Sequence, residues 1–286
     1  GLGQATEGRG ILAVIFKASQ EPEIPPTPLL PNGRKDSTFP YRYFKAHYWD
    51  NIPLDDDRLL RTPLLAPKFK FWFDKMMAQV PDTILKESQA LIARTNGNRE
   101  MFKYLVYWIT STYETSQVMG MDAVFVGMVN TYYKTGQAFW VDSTQLKKIS
   151  DRANILEPLL LGKKARNLIM PDTTGHLMKA LYDVKAKYTV LLFWEPGCGH
   201  CQKEAPKLKA FYDKYKAKGV EVYAVDIEAN KEEWVAFVRK NNLNWVNVAN
   251  LFHHYYLREM FDIYSTPVIY LLDENKVIKA KRIAVD

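Results

Sequence analysis

The 286-residue sequence predicts two domains, an all-α domain over residues 1–160 and an α/β domain over residues 161–286. Apolar residues recur at helical spacing from Thr62 to about Leu160, whereas strand-length apolar runs alternate with helical patterns after Gly162. Hydrophobic residues make up 47% of the chain, which is enough for two cores of ordinary size.

The first domain opens with residues 11–20, whose pattern is compatible with a short helix, and continues into a long loop. Residues 21–40 hold six of the fifteen prolines, and this density excludes a helix interior, so the segment is a Pro-rich loop. An aromatic cluster at residues 41–49 follows, and its structure stays open.

Five helices with short connections are predicted next. Thr62 is suited to cap the first, and Asp142 and Gln145 have capping-box spacing at the fifth. The fourth is apolar almost all round and is predicted to be the most buried. The helices begin near Thr62, Pro81, Arg99, Met121 and Asp142.

The second domain is predicted from a strand, helix, strand unit that is typical of parallel sheets. Residues 188–194 form a continuous apolar run, followed by a helix at 198–217 and a strand at 220–225. The remaining predicted elements are a helix at 231–241, a strand at 245–248, a helix at 251–261 and a hairpin of 268–272 with 277–282.

Composition excludes several classes of protein. No stretch approaches about 18 consecutive apolar residues, so no membrane span is predicted. The net charge of +7 is spread along the chain, which favours a solvated surface over a nucleic-acid site. With two cysteines, a multi-disulfide scaffold is excluded. The aromatic residues of the helical domain have core spacing, and no catalytic constellation assembles in residues 1–160.

The two cysteines form one C-x-x-C motif where the first strand passes into a helix. Cys198 is therefore predicted at a helix N-terminus, where unpaired N–H groups and the helix dipole favour the thiolate. Gly199 and His200 separate it from Cys201, so the two sulfurs can meet as a disulfide across one turn, and a protonated His200 would stabilise the thiolate further. These are the requirements of thiol–disulfide exchange.

A zinc site is the alternative for the same cysteines. Zinc needs four ligands, and no second C-x-x-C is present, so two histidines would have to complete the set. The candidates are His176, His200, His253 and His254. We favour the redox interpretation, with no metal and no cofactor apart from the redox-active Cys198–Cys201 disulfide.

The residues around the motif resemble the thioredoxin fold and, within it, the TlpA/ResA-like thiol–disulfide oxidoreductases of bacterial envelopes. Phe193-Trp194 precede the motif, Pro206 follows in the helix, and Thr266-Pro267 resembles the family's cis-proline. Residues 162–165 and the turn at 172–175 resemble the N-terminal hairpin of this branch. The helical part, with its segment at 20–25, resembles a helical domain of unknown function found before thioredoxin domains in Gram-negative envelope proteins.

This resemblance implies roles for the site residues. Cys198 would attack a partner disulfide, Cys201 would resolve the mixed disulfide, and Glu204 would assist its deprotonation. Thr266 and Pro267 would align the substrate chain. Supporting positions are Trp194, Pro196, Gly199 and His200. Trp194, Pro196 and Gly197 would shape the rim. The alternatives are that Trp194 only packs in the core, that Glu204 is a solvated helix residue and that His200 is a spacer.

The sequence also departs from the family pattern. Leu192 stands where cytosolic thioredoxins bury an aspartate, Gly197 replaces a tryptophan, and Arg166 stands where a proline is common. The chain ends at Asp286, before the family's final helix, and begins at Gly1, which is typical of a processed product.

The function expected from the sequence is a thiol–disulfide oxidoreductase of the periplasm or cell envelope that acts on protein disulfides or thiols. Of the two directions of electron transfer, we favour that of a reductase. An unidentified electron donor is implied as a partner, and nucleic acid is not expected as one. Membrane attachment is expected only through a segment before Gly1. Two alternatives stay open. The Gly199-His200 pair is shared with protein disulfide isomerase, which favours an oxidase or isomerase, and the whole chain could be a binding scaffold on a thioredoxin platform.

Overall fold

The computed structural model describes residues 10–228 and 230–284, and these form two compact units. The first comprises the described part of residues 1–115 together with 131–141, and the second comprises 116–130 together with the described part of 142–286. In this division, residues 116–130 and 142–160 of the predicted all-α domain group with the sheet.

Helices and an aromatic core build the first unit. Tyr48, Trp49, Phe69, Trp72 and Phe73 are buried and make ring contacts, so these aromatics are core residues, as predicted. Its helices are α1 (Ile11–Ser19), α2 (Phe39–His47), α3 (Leu65–Phe71), α4 (Pro81–Ala93) and α5 (Arg99–Glu114), with a 3₁₀ turn at Asp57–Arg61 and a π turn at Trp72–Met76.

Two details of this unit differ from the sequence prediction. The aromatic cluster after the Pro-rich loop is helical, because Pro40 occupies the first turn of α2, where a missing N–H costs nothing. The next helix begins at Leu65, later than Thr62 suggested. The Thr62 hydroxyl instead donates to the carbonyl of Leu59 at 2.7 Å and closes the preceding 3₁₀ turn.

The second unit begins with two helices, α6 (Asp122–Met128) and α7 (Ser143–Leu156). The predicted capping box of α7 is confirmed, since Asp142 accepts from the Gln145 N–H at 2.8 Å and the Gln145 side chain accepts from the Asp142 N–H at 3.1 Å. Most residues of α6 are buried, in agreement with its continuous apolar pattern.

A five-stranded mixed sheet forms the centre of this unit, in the order β5-β4-β3-β6-β7. Strands β3, β4 and β5 are parallel, and β6 and β7 are antiparallel to their neighbours, as the α/β pattern with an antiparallel edge predicted. The strands are β1 (Ile169–Pro171), β2 (Met178–Ala180), β3 (Tyr188–Trp194), β4 (Val220–Asp226), β5 (Val246–Ala249), β6 (Val268–Asp273) and β7 (Ile278–Lys281), and the helices are α8 (Gly199–Tyr215), α9 (Lys231–Lys240) and α10 (Leu257–Met260). Strands β1 and β2 form a separate antiparallel hairpin.

Alternate residues of β3 enter two different cores. Leu191 and Phe193 pack in one core with Phe261 and with Met170 of β1. Leu192 and Trp194 pack in the other core with residues of α8 and α9. A strand buried on both faces reads as a continuous apolar run, which explains the sequence of residues 188–194.

The functional edge of the sheet is where the parallel strands end. Trp194 pairs with Asp226, and Asp226 with Ala249, so the loops after β3, β4 and β5 leave from the same edge. Val268, the first residue of β6, pairs with Phe193, so the segment before β6 also starts there. Such an edge is the usual ligand site of open α/β sheets.

The loop after β5 corrects one prediction. A helix over residues 251–261 is wrong for its first part, because only Leu257–Met260 is helical. The Asn250 side chain donates to the Tyr255 carbonyl at 2.8 Å and so satisfies the backbone without a helix, and His253 has a left-handed φ of 50°.

Among residues 10–228 and 230–284, none of the helices has both the length and the hydrophobicity that a transmembrane span needs.

Candidate active site at Cys198 and Cys201

The C-x-x-C motif lies at the start of α8, directly after the central strand. The chain leaves β3 at Trp194 and turns through a hydrogen bond of 3.2 Å from the Cys198 N–H to the Glu195 carbonyl. Cys198 is the N-cap of α8, and its Sγ accepts a hydrogen bond from the Cys201 N–H at 3.4 Å. The sulfur thus takes the place of a capping oxygen, at the end of the helix that stabilises negative charge.

A second segment faces this sulfur. The Thr266–Pro267 peptide bond is cis, and these residues precede β6 at the functional edge of the sheet. The Cys198 thiol donates a hydrogen bond to the Thr266 carbonyl at 3.3 Å. Thr266 and Pro267, both expected to align the substrate, are therefore brought next to the exposed cysteine.

The surroundings of Cys198 favour its thiolate. Partial burial acts to raise the pKa of Cys198, but the neighbouring Thr266 side chain and hydrogen bonds from the backbone N–H groups of Cys201 and His200 outweigh it and hold the pKa below its ordinary value. The contribution of His200 comes through its backbone, while its imidazole side chain lies in an exposed position.

Cys201 has the opposite environment. It is 2% exposed, and this burial raises the pKa of Cys201 to about 12, although a hydrogen bond from the Glu195 backbone acts in the other direction. The two thiols are both free. The half-exposed Cys198 therefore ionises first, and Cys201 stays protonated until a base or a change in the site removes its proton.

Glu204 lies one turn further along α8. Its carboxylate is partly exposed and accepts a hydrogen bond from Lys207 Nζ at 2.8 Å. Glu204 and Cys201 border the same cavity of about 10 Å³, which is at the lower limit of the space that one water molecule needs. Leu192 is part of its wall, so the strand position that carries an aspartate in cytosolic thioredoxins is apolar here.

Glu195 is a site residue that the sequence reasoning missed. Its carboxylate accepts a hydrogen bond from the Thr266 hydroxyl, while its backbone bonds the Cys201 sulfur. Because the Thr266 carbonyl accepts from Cys198, Glu195 and Thr266 together contact both thiols. The available signal was a carboxylate immediately after a buried strand and three residues before the first cysteine.

The supporting residues take different positions. Trp194 is 2% exposed and packs in the same core cluster as the two cysteines, so it lies in the core rather than at the rim. Pro196 is also buried, and its carbonyl accepts from Gln202 Nε2 at 2.9 Å. Gly199 and His200 are exposed in the first turn of α8.

An open groove of about 470 Å³ is lined in part by Thr266, whose carbonyl contacts Cys198. It is bordered by Thr266-Pro267 on one side, by the first turns of α8 on another, and by the residues after β7. Tyr264 also borders this groove and is 75% exposed, so its aromatic ring is accessible from solvent. The lining includes His200, Glu204, Tyr264, Ser265, Pro267 and Arg282.

The zinc alternative has no ligand set in the part of the chain that the structure describes. Over residues 10–228 and 230–284, no group of three or more His, Cys, Asp or Glu side chains is arranged to hold a metal ion. Cys198 and Cys201 form a half-exposed thiol with a buried partner thiol, an arrangement that thiol–disulfide exchange can use.

Comparison with protein families identifies both parts of the chain. Residues 161–281 match the AhpC/TSA family. Residues 11–157 match a domain of unknown function, DUF5106.

Curated relatives match the part with the cysteines. The thiol-disulfide oxidoreductase ResA of Bacillus cereus is 36% identical over 89 residues, 31% of this chain and 51% of the relative, so the chain spans about half the length of that protein. ResA of Bacillus subtilis is 30% identical over 124 residues, 43% of this chain and 68% of the relative.

A solved structure resembles nearly the whole chain. A thioredoxin-like protein from Bacteroides caccae aligns with a TM-score of 0.66 over 91% of this chain and 94% of its own, at 18% identity. At this identity the likeness establishes the fold, a helical region followed by a thioredoxin-like domain.

Proposed function

We propose that this chain, which belongs to the ResA-related thiol–disulfide oxidoreductases and carries an AhpC/TSA domain after a DUF5106 domain, exchanges its Cys198–Cys201 dithiol with disulfides of partner proteins. One observation carries the proposal. The pKa of the accessible Cys198 is lowered, whereas that of the buried Cys201 is raised to about 12, so one thiol is prepared to attack and the other is held back.

In the first step, the Cys198 thiolate attacks one sulfur of a partner disulfide. The partner's S–S bond breaks, its second sulfur leaves as a thiolate and takes up a proton, and a mixed disulfide joins Cys198 to the partner. Thr266 and Pro267 hold the partner chain beside the reacting sulfur, and the groove next to them accommodates its side chains.

In the second step, Cys201 resolves the mixed disulfide. Its thiol loses a proton to Glu204 through a water molecule in the narrow cavity that both residues border, and its sulfur attacks Sγ of Cys198. The mixed disulfide breaks, the partner leaves with its second thiol, and Cys198 and Cys201 are joined as a disulfide. Two electrons have passed from this chain to the partner.

We favour the reductase direction, in which a dithiol protein acts as electron donor and returns the Cys198–Cys201 disulfide to the dithiol. The resemblance to the TlpA/ResA-like branch supports this direction and a location in the periplasm or cell envelope. The partners are then proteins with disulfides exposed to that compartment, where disulfides persist.

An oxidase or isomerase is the second candidate, and the exposed Gly199-His200 pair between the cysteines is the observation that favours it. The reduction potential of the Cys198–Cys201 pair decides between the two. A value near about −270 mV supports a reductase, and one near about −180 mV supports an oxidase or isomerase. The fluorescence of Trp194, which packs with both cysteines, reports the redox state in glutathione or dithiothreitol buffers.

Insulin reduction tests the activity itself. With dithiothreitol as electron source, the wild-type chain should accelerate insulin precipitation, and Cys198→Ser should abolish the acceleration. Reduced Cys201→Ser, incubated with insulin after dithiothreitol has been removed, should form a trapped mixed disulfide. If wild type and Cys198→Ser behave alike, the oxidoreductase proposal fails and the scaffold interpretation takes its place.

A further inference from the structure

A buried aspartate lies at the start of the loop that carries Thr266. Asp262 is 4% exposed, and its carboxylate receives hydrogen bonds from the guanidinium groups of Arg152 and Arg282. Arg152 uses both of its terminal nitrogens, and Nη2 lies 3.2 Å from Asp262 Oδ2. A carboxylate this deeply buried depends on such partners, and a two-pronged guanidinium contact fixes its orientation as well as its charge.

The two partners of this ion pair come from different family regions. Arg152 is on α7, within the residues that match DUF5106, whereas Asp262 lies within the AhpC/TSA match. Both residues belong to the second compact unit. A side chain from outside the thioredoxin-like region therefore supports a loop inside it.

Arg152 contacts the loop at two places. Besides Asp262, it lies over the ring of Tyr264, with 5.4 Å between the guanidinium carbon and the ring centroid. Asp262 has a left-handed φ of 54°, a conformation that is uncommon for residues with a side chain, although Asp adopts it more readily than most. Thr266 follows Asp262 by four residues, so little chain separates the ion pair from the threonine that contacts Cys198.

We propose that Arg152 is a positioning residue that holds the loop of residues 262–267 so that Thr266 meets Cys198 and the substrate, an inference that rests on the proposed function. Without Arg152, Asp262 keeps only Arg282 of these two partners, and Tyr264 loses its cation. The Thr266 side chain and carbonyl then occupy a wider range of positions. Cys198 then loses the influence of the Thr266 side chain that lowers its pKa, and the substrate chain loses its alignment.

The experiment compares Arg152→Ala and Arg152→Lys with the wild-type full chain. Reduced protein is treated with iodoacetamide at pH values from 5 to 10, and mass spectrometry reads the labelling of Cys198 and Cys201 separately. The KM and kcat for insulin are measured in parallel. Lys147→Ala is the matched control, because Lys147 is on the same helix in an exposed ion pair with Asp151.

In Arg152→Ala we expect the labelling rate of Cys198 at pH 7 to fall about three- to tenfold, since a tenfold change corresponds to one pKa unit. The KM for insulin should rise with a smaller change in kcat. Arg152→Lys, which keeps the charge but not the planar fork, should lie between Arg152→Ala and wild type. Lys147→Ala should match the wild type in all three quantities.

A merely structural role has a different signature. Unfolding exposes the buried Cys201, so its labelling would rise together with the loss at Cys198, and that result in both Arg152 variants overturns the inference. Wild-type labelling and KM in both variants also overturn it. If wild type itself fails to reduce insulin, the proposed function fails, while the labelling of Cys198 still decides whether Arg152 positions the loop.

Discussion

The hydroxyl of Thr266 donates a hydrogen bond to Oε1 of Glu195, although 71 positions separate the two residues. The carbonyl of the same threonine accepts from the Cys198 thiol at 3.3 Å, and the Glu195 backbone bonds the Cys201 sulfur. One contact therefore ties the segment before β6 to the turn that carries both cysteines. The distance between the Cys198 sulfur and Thr266 depends on this contact.

We predict that Glu195→Ala slows insulin reduction about tenfold, because Thr266 loses its acceptor and no longer stays in place against Cys198, a loss of about 1–2 kcal/mol. Glu195→Gln keeps an acceptor oxygen at the same position and should stay within about threefold of wild type. Initial rates with insulin test both variants. An equal loss of rate in Glu195→Gln and Glu195→Ala would show that the reaction depends on the charge of Glu195 rather than on its hydrogen bond.

The two thiols should titrate far apart. Cys198 has a lowered pKa, so its alkylation by iodoacetamide should be half-maximal below the ordinary thiol value of about 8.5 and should fall as the pH falls through that midpoint. Cys201 should react slowly up to high pH in the folded protein. Site-resolved mass spectrometry checks this, with Cys198→Ser to measure Cys201 alone. A single shared midpoint near 8.5 would contradict the asymmetry of the site.

The same asymmetry predicts a pH-dependent stability. Cys201 has a folded pKa of about 12, above its unfolded value, so its contribution to the reduced form is fully present below about pH 8.5 and is lost as the pH rises toward 12. The disulfide form has no such titration. The difference in free energy of unfolding between oxidised and reduced protein should therefore widen by about 1 kcal/mol per pH unit above 8.5. Urea unfolding of both forms at pH 7.5, 9 and 10 measures it, and a constant difference would contradict it.

The sequence predicted the sheet well because its signals are local. The continuous apolar run of β3 and the capping box at Asp142 depend on neighbouring residues alone, and both match the structure. The loop after β5 was assigned to a helix because side-chain hydrogen bonds of Asn250, which compete with helix formation, leave no periodic pattern.

The parts of the site that the sequence missed depend on contacts between distant residues. Glu195 with Thr266 and Arg152 with Asp262 are single polar pairs, separated by 71 and 110 positions. The position of a single carboxylate or guanidinium in the sequence does not indicate which distant residue it pairs with. The cysteines were found because C-x-x-C is a local motif whose geometry follows from one turn of helix.

A second buried ion pair joins α6 to the last strand. Lys281 is 8% exposed, and its Nζ donates to Asp122 and, at 2.8 Å, to the Leu159 carbonyl. We predict that Asp122→Ala destabilises the protein by about 3 kcal/mol, because a buried ammonium is left without its counter-charge. Burial already lowers the pKa of Lys281, so the variant should release its proton more readily.

Thermal unfolding measures this effect, with Asp151→Ala as the control. Asp151 pairs with Lys147 in an exposed position, so its replacement should change stability by less than about 0.5 kcal/mol. Insulin reduction below the melting temperature should be unchanged in both variants, since neither residue touches the cysteines. Equal melting temperatures for the two variants would show that the Asp122–Lys281 pair adds nothing to stability.

In the proposed mechanism Glu204 and Cys198 act in different steps, so the two roles can be tested separately. In Glu204→Gln the base for Cys201 is lost, so resolution of the mixed disulfide should slow by about tenfold or more at pH 7, as is typical for removal of a general base. The attack by Cys198 does not use Glu204, so iodoacetamide labelling of Cys198 should be unchanged. Quenching insulin reactions with acid at short times should then reveal mixed disulfide that wild type does not accumulate.

Lys207→Ala is the matched control, since it removes only the ion-pair partner of the Glu204 carboxylate. Its rate of resolution should stay within about threefold of wild type, because an exposed ion pair contributes little free energy. If resolution in Glu204→Gln is as fast as in wild type, Cys201 loses its proton by another route, and the Glu195 turn that bonds its sulfur is the next place to look.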